Sequence, residues 1–458
     1  MQSARHDNQA LTLRHYQSYI VREINKAWVR GKKRPLVCLP TGSGKTILAA
    51  DLAYRVAENK KTSWFVVHRR ELLKQTIEAF DNFNIPRERV KIGMVRSILN
   101  KGYPKPDLII FDECHHLGAK TWRNIVEAYP ETHLVGLTAT PARLDGKSLG
   151  DVFDDLIVGP VTPELIRMGY LSPYRMIVAD IADLGGLKTR GADFAPEDAA
   201  KRMMASAVYG DVVKTYKKYG KQQAIYFCTT IEHSEATARS FREAGIVAEH
   251  FDGKTPTKKR DQLIENFKNG KIQILSNCEL IGEGFDMPGC DVVGMLRPTQ
   301  SLTIYLQQVG RALRPREGKT ATIIDHVGNI SRHGSPSEPR EWTLDGKIKT
   351  GRAVTEGGEF YIRYCMNCFA AYEVSHRECP VCGEEYESTR EEIKNIKEAK
   401  MRILQEQELE RERRWAISPE AEKKARSYSD FCTIAKHKGY KKGWAYHRAK
   451  KRGFWTPY

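Results

Sequence analysis

The sequence predicts an α/β protein built as two parallel-sheet domains in tandem, followed by a small zinc ribbon or knuckle and a helical, basic C-terminal tail. Three observations predict it. Short β-branched and aromatic apolar runs alternate with amphipathic helical stretches through about residue 330, which is how a parallel sheet covered by helices reads. The alternation runs through twice, and 458 residues are too many for one ordinary core. The first apolar run also leads through a glycine loop into a helical pattern, the context of a phosphate-binding site.

In chain order, the first half offers strands at Leu36 to Leu39, Ser63 to Val67, Leu108 to Phe111 and Leu134 to Leu137. The second offers Ala224 to Cys228, Ile272 to Ser276, Val292 to Leu296 and Thr322 to Asp325. Between the halves, Gly159, Pro160, Pro163 and Pro173 interrupt regular structure. Residues 1–170 are therefore expected as the first domain and 171–332 as the second. A polar, Gly- and Pro-containing connector at 333–360, with room for a small hairpin, precedes a cysteine module at 361–387. Residues 388–458 remain: a Glu/Lys/Arg/Leu/Gln run with strong helix propensity from Glu391 to Trp415, then a helix start signalled by Ser418, Pro419 and Glu420.

Hydrophobic residues make up 41% of the chain, enough for proper cores, so most of it is expected to fold. The 74 Lys and Arg against 57 Asp and Glu leave a net +17, which favours a polyanionic partner, with nucleic acid the first candidate. From Ala421 to Tyr458, 11 basic residues face two acids, concentrating +9 of that charge in the tail. No apolar run approaches the length of a membrane span, and MQSARHDNQA is no signal peptide, so a soluble, intracellular protein of prokaryotic or phage type, with a cytoplasmic location, is expected. Cys38, Cys114, Cys228, Cys278 and Cys290 lie in or beside apolar strands, where a thiol packs as a small hydrophobe.

LVCLPTGSGKTILAADLAYRV is strand, glycine loop and helix in succession. Pro40, Thr41, Gly42, Ser43 and Gly44 form the loop; Gly42 and Gly44 let amides approach phosphate oxygens, Lys45 supplies charge to the β and γ phosphates of ATP, and the Thr46 hydroxyl can ligate magnesium. Where the general pattern opens with glycine, this chain has Leu39. Asp112 and Glu113 follow the strand LIIF and should emerge at its carboxyl end, where ligands bind in open α/β sheets. Asp112 suits the metal and Glu113 the attacking water.

PTGSGKT, DECH and TATP, with VHRRELLKQT, ELIGEGFD and QQVGRALR, resemble the superfamily 2 helicases of DEAD/DEAH type in order and approximate spacing, over about residues 11 to 330. The resemblance implies two RecA-like domains. It also implies that Gln17 of LRHYQ, beside Arg14, reads adenine, and that His115, Thr138 and Thr140 couple the nucleotide site to domain movement. It further implies that Gly284 and Asp286 face the nucleotide from the second domain, and that Gln307, Arg311 and Arg314 belong to the motif whose arginines reach the γ phosphate. Guanidinium donors suit the charge of a transferred phosphoryl group, and their supply from the second domain would make hydrolysis depend on closure. The cysteine module and the ending HKGYKKGWAYHRAKKRGF look like the RadD-type DNA repair helicases, with phage helicases also similar.

Cys365-x2-Cys368 and Cys379-x2-Cys382, ten residues apart, suit a closed four-thiolate zinc site, structural rather than catalytic. In the tail, Trp444, Tyr446, Phe454 and Trp455 are interleaved with Lys441, Lys442, Arg448, Lys450, Lys451 and Arg452. This composition fits a clamp that stacks on bases of single-stranded DNA. It equally fits an amphipathic helix whose aromatics pack inward and whose lysines are solvated, or a dock for a partner protein.

Together these point to a nucleic-acid-dependent ATPase with ATP, magnesium and structural zinc. The expected activity is that of an ATP-driven DNA helicase or translocase in repair, recombination or replication, acting on single-stranded or forked DNA, with a repair or replication protein as a further partner. An RNA helicase, a pump of duplex DNA and an ATP-switched binding scaffold remain alternatives.

Overall fold

The computed structural model describes residues 13–67, 73, 76–78, 80–81, 85–114, 120–141, 148–178, 187–190, 193–203, 212–278, 289–338, 340–345, 349–350, 362–385 without 366, 369, 374 and 375, and 416–454 without 419 and 442.

Strands β1 (Pro35–Cys38), β2 (Ser63–Val67), β3 (Val90–Met94), β4 (Leu108–Phe111), β5 (His133–Thr138) and β6 (Asp155–Val158) form a wholly parallel sheet in the order β3-β2-β4-β5-β1-β6. Successive side chains of a strand leave opposite faces, and the apolar core divides accordingly. Val37, Phe65, Ile110 and Val135 join Ile20 and Ile24 of α1 (His15–Val29) and Leu48 and Leu52 of α2 (Lys45–Glu58). Their neighbours Leu36, Val66, Ile109 and Leu134 join Ile98 of α3 (Val95–Asn100) and Trp122 and Ile125 of α4 (Lys120–Ala128). Burial on both faces is why these strands are continuously apolar.

After α5 (Thr162–Arg167), β7 (Tyr174–Val178) opens a second parallel sheet. A short hairpin, β8 (Thr189–Arg190) with β9 (Asp193–Phe194), and α6 (Pro196–Met203) precede β10 (Ala224–Cys228), α7 (Ile231–Glu243), β11 (Ala248–Phe251) and α8 (Thr257–Lys268). Next come β12 (Ile274–Cys278), β13 (Val292–Met295), α9 (Leu302–Ala312), β14 (Ala321–Asp325) and α10 (Asn329–His333). The order is β11-β12-β10-β13-β14-β7, so the first strand of this domain pairs with its last, Ile177 opposite Ile324.

The connector carries the expected hairpin, β15 (Arg340–Glu341) with β16 (Lys349–Thr350). It is fastened to both domains. The Tyr174 hydroxyl bonds Ser335 and Ser337 at 3.0 and 2.6 Å, while the Leu344 carbonyl accepts from the Ser148 hydroxyl and the amides of Leu149 and Gly150 at 2.9, 2.9 and 3.2 Å. Beyond it, β17 (Ile362–Tyr364) and β18 (Ala371–Glu373) form an antiparallel hairpin, and a bridge between Ala370 and Ile177 lays the hairpin along edge strand β7. An edge that would otherwise offer unpaired backbone groups is thereby covered.

The C-terminal segment is a compact unit of its own. Helices α11 (Ala421–Lys424), α12 (Tyr428–Lys438) and α13 (Trp444–Lys451) enclose Ala421, Ala425, Phe431, Ile434, Ala445 and Ala449. Ser427 and Asp430 make a capping box at the start of α12, and Gly439 at φ 69° ends it. The helix start expected at Ser418 comes later: Glu420 is the N-cap residue of α11, and the Ser418 carbonyl accepts from the Ala421 amide at 3.2 Å. The charged run from Glu391 to Trp415 lies outside the described residues.

Candidate functional site

The carboxyl end of β1 turns through Leu39 and Pro40 into a loop in which Gly42 and Gly44 hold φ of 85° and 84°, a left-handed conformation that L side chains rarely adopt. Gly44 is the N-cap of α2, so free amides of the first turn point into the loop. The departure at Leu39 costs nothing in the backbone, because Leu39 is not among the described non-glycine residues with positive φ. Its buried side chain lies where a Cβ on Gly159 would stand 2.4 Å from Cδ2, so a glycine on β6's carboxyl side makes the room. Cys38 below the loop is fully enclosed, and burial pushes its thiol up to about 12, which leaves it a packing residue.

Two residues of α1 hold the loop from behind. The Tyr16 hydroxyl donates to the Ser43 carbonyl, and Gln17 Nε2 donates to the Gly44 carbonyl at 3.1 Å while its Oε1 accepts from the Arg14 amide at 2.9 Å. Arg14 stacks over the Tyr170 ring at 4.4 Å. The residues expected to read the base are therefore tied to the phosphate loop, and Tyr16 and Tyr170, which sequence reasoning passed over, complete the tie. Tyr16 stood next to Gln17, and its aromatic ring in a polar motif was the available signal.

Lys45, 9% exposed, lies with Nζ 3.4 Å from the Leu39 carbonyl and 3.6 Å from Glu113 Oε1. Asp112 and Glu113 leave the tip of β4 as expected. Glu113 takes φ 49°, a strained value for a residue with a side chain, and its amide donates to Asp112 Oδ1 at 3.1 Å. A strained Glu113 3.6 Å from a buried lysine makes this strand tip the candidate chemical site. Amides, a lysine, the Thr46 hydroxyl and an acid pair are the donor set that a magnesium nucleotide requires, and the residues fit that group.

At the end of β5, Thr138 Oγ1 donates to the Thr140 carbonyl at 2.8 Å and accepts from the Thr140 amide at 3.1 Å. The Thr140 hydroxyl meets that of Thr303 at 2.6 Å, both buried. Thr303 begins α9, and two turns on, a Cβ at Gly310 would stand 2.6 Å from Thr41 Cβ and Cγ2. Thr303, Gln307, Gly310 and Arg311 share one side of that helix, at spacings of four, seven and eight. Gln307 and Arg311 are 3% and 7% exposed. Arg314 follows the helix, its carbonyl accepting from the Ser172 hydroxyl at 3.1 Å and Lys319 Nζ at 2.8 Å. The second domain thus sets its arginine helix on the phosphate loop and on the TATP turn. Thr303 was not foreseen; only its place one turn before Gln307 pointed to it. A cavity of about 60 Å3 bounded by Pro40, Thr41, Leu306, Gly310 and Arg340 lies along this seam. Lys45 and Glu113 are not in its wall, so it is domain packing and not the phosphate site. His115, Gly284 and Asp286 lie outside the described residues.

In the cysteine module, the four sulfurs of Cys365, Cys368, Cys379 and Cys382 all lie within 4.8 Å of one another. The pairs Cys365–Cys382 and Cys368–Cys379 are 3.5 Å apart. A tetrahedral zinc with bonds of about 2.3 Å has sulfur edges of about 3.8 Å, so the set fits. The amides of Cys368 and Val381 turn back on the Cys365 and Cys379 sulfurs at 3.5 and 3.4 Å, the knuckle geometry that stabilises thiolates. Among the described residues, this is the one cluster of three or more His, Cys, Asp or Glu side chains able to hold a metal. His376 is exposed and stands apart from it.

In the tail the structure separates readings that composition left open. Trp444 packs on Phe431 and Tyr440 at ring distances of 6.0 and 4.4 Å, and Phe454 on Phe431 at 6.2 Å. Trp444 and Phe454 belong to the small core, whereas Tyr440 is 40% exposed and Tyr446 half-buried. Trp455 and Lys442 lie outside the described residues.

Comparison with known proteins adds the following. The family model described as type III restriction enzyme, res subunit, matches residues 10–101 and 94–143, and that described as helicase conserved C-terminal domain matches 207–316. A 51.5 kDa protein of a Lactococcus phage is 34% identical over 377 residues, covering 81% of this chain and 82% of that protein. The protein of Schizosaccharomyces pombe named mitochondrial ATP-dependent helicase irc3 is 29% identical over 72% of this chain, which spans 60% of that relative's length. Among solved structures, a fragment of an HsdR subunit of a type I restriction enzyme from Vibrio vulnificus superposes with a TM-score of 0.57 at 23% identity. The match covers 74% of this chain and 70% of that one, a likeness of fold alone.

Proposed function

The chain belongs to superfamily 2 of the helicases, ATP-hydrolysing motors on nucleic acid, and from that premise we propose that it is an ATP-driven DNA translocase or helicase serving repair, recombination or replication. One juxtaposition supports the reading above all. The helix carrying Arg311 is seated through Gly310 on the phosphate loop and through Thr303 on the turn that follows β5, so the proposed catalytic seam draws its residues from both sheets.

ATP with magnesium would supply the transferable phosphoryl group. In this proposal Gln17 and Arg14 orient the base, Lys45 and the amides of Thr41 to Thr46 hold the phosphates, and Thr46 and Asp112 take the metal. Pro40 lacks an amide hydrogen and serves only to set the turn. Glu113, held in its strained conformation beside Lys45, orients and deprotonates water. Arg311 and Arg314, with Gln307, stabilise charge on the γ phosphate; Gly284 and Asp286 complete the wall opposite, and His115, Thr138 and Thr140 pass closure on to the domains. Loss of the γ phosphate removes what Arg311 grips and lets the seam open, so the hold of each domain on a strand alternates. The four cysteines hold structural zinc, whose hairpin covers the edge of the second sheet. The track is single-stranded or forked DNA, and a repair or replication protein is the expected companion. No described helix is long and apolar enough to cross a membrane.

Steady-state ATP hydrolysis with no polymer, single-stranded DNA, duplex DNA, forked DNA and RNA at one salt concentration tests the proposal. Stimulation chiefly by DNA is expected. Stimulation by RNA alone would make it an RNA helicase, and turnover indifferent to every polymer would leave an ATP-switched scaffold.

A further inference from the structure

The basic tail was ambiguous as composition, and its folded form separates structural residues from free ones. Two of its aromatic rings are committed inward: Trp444 and Phe454 pack on Phe431. Its acids are committed as well. Asp430 accepts from the amides of Arg426 and Ser427 at 2.7 and 3.1 Å, Glu420 pairs with Lys424 at 2.5 Å, and Glu422 pairs with Arg448 at 3.5 Å. Arg452 is a structural cation, donating to the Glu422 carbonyl at 2.5 Å as a cap on α11.

Other cations have no such employment. Lys436 lies on α12 opposite Phe431 and Ile434, Lys441 lies in the turn between Gly439 and Gly443, and Lys450 and Lys451 lie on α13 opposite Ala445 and Ala449. None of the four has an acidic partner among the described residues within salt-bridge distance. Such lysines on a folded three-helix unit concentrate positive charge at little entropic cost to the backbone. Among the described residues, Trp444 and Phe454 spend their ring faces in the core, Tyr440 stays 40% exposed against Trp444, and Tyr446 is half-buried with Lys450 Nζ 5.6 Å from its ring centre.

We propose that this C-terminal three-helix unit is a second nucleic-acid contact, separate from the motor's own track, which grips the phosphate backbone of duplex DNA through Lys436, Lys441, Lys450 and Lys451 without reading or stacking on bases. The proposal rests on the DNA reading above and gives it a place: a motor tethered by its tail to duplex would stay near the junction where single strands begin. Each phosphate neutralised releases counterions, so binding should carry a steep salt dependence.

The test uses the full chain with the four lysines replaced by glutamine and a fluorescent duplex, its Kd followed against sodium chloride concentration. The slope of log K against log[salt] should become shallower by about 0.9 for each lysine–phosphate pairing removed, up to about 3.6, with affinity at low salt down by tenfold or more. ATP turnover without DNA should be unchanged. Identical slopes in variant and wild type would overturn the proposal, as would a Tyr446→Ala chain that lost as much single-strand affinity as the lysine variant lost duplex affinity. Loss of binding to an acidic peptide with duplex binding intact would overturn it in favour of a protein dock. A wild type that bound no DNA at any salt would instead overturn the DNA reading itself.

Discussion

Gly310→Ala puts the proposed seam to a test that stability and activity should answer in opposite directions. The added methyl would lie 2.6 Å from both Cβ and Cγ2 of Thr41, whereas carbon atoms settle at about 3.5 to 4.0 Å. Neither side can yield by a side-chain rotation, because the methyl is fixed to a helix and Thr41 Cβ to the phosphate loop. The strain is of the order of 1 to 3 kcal/mol, and the cheapest relief is to part the domains by about 1 Å. Arg311 would retreat with the helix. A misplacement of that size at a reacting centre costs about 100-fold, or about 2.7 kcal/mol of barrier. Within α9 itself alanine is the better helix former by about 1 kcal/mol, so the second domain should unfold no earlier. Polymer-stimulated kcat and thermal unfolding, measured together, should show a kcat lowered by about two orders of magnitude with an undiminished unfolding temperature. Thr41→Gly, which removes the opposing carbons, should restore part of the loss in the double variant. A Gly310→Ala enzyme with wild-type kcat would rule out the seam as drawn, as would one whose lost activity merely followed lost stability.

Other consequences can be checked separately. Thr303→Val should leave the Thr140 hydroxyl buried without its partner, costing about 1 kcal/mol at the seam and lowering stimulated turnover several-fold while polymer-free turnover changes less; equal effects on both would argue against a coupling role. The cysteine module should carry one zinc per chain by metal analysis, and its removal by a chelator should speed hydrogen exchange along β7, which the hairpin covers; protection unchanged in the metal-free chain would dissociate zinc from that edge. Burial lowers His233 and His333 to about 4 and His326 to about 3. Because the unfolded chain binds these protons near pH 6.5, the stability they contribute is complete above that pH and is lost as pH falls toward 4. The loss approaches about 1.4 kcal/mol per histidine per pH unit below 6.5. Urea midpoints of the second domain should therefore drop between pH 7 and 5.5, and a flat profile would contradict the burial argument.

How legible the fold was depends on position within each sheet. The strands expected from sequence include the four central strands of both sheets, with ends shifted by up to two residues at β12. Within the two six-stranded sheets, the strands not foreseen are β3, β6, β7 and β11, the two edges of each. Central strands are buried on both faces and show unbroken apolar runs such as LIIF. Edge strands such as VKIGM, DLIV and AEHF carry half-exposed residues, and their mixture resembles loop. In the site, Lys45, Asp112 and Glu113 were legible because phosphate chemistry restricts which residues can stand there. Thr303 and Tyr16 were not, since a hydroxyl's partner is set by the packing of distant segments. The tail aromatics were ambiguous for a related reason: inward and outward rings have the same composition, and only the fold of α11 to α13 separates them.

If the loop from Pro40 to Thr46 is the ATPase site and DNA drives its turnover, removing the Lys45 ammonium must abolish what DNA stimulates. The deciding measurement is hydrolysis by the wild type and by Lys45→Ala, each with and without forked DNA. DNA-stimulated turnover is expected in the wild type, with a loss of at least about 100-fold in the variant, whose DNA binding without nucleotide persists. A Lys45→Ala chain that still hydrolysed ATP at the wild-type rate would place the active site elsewhere.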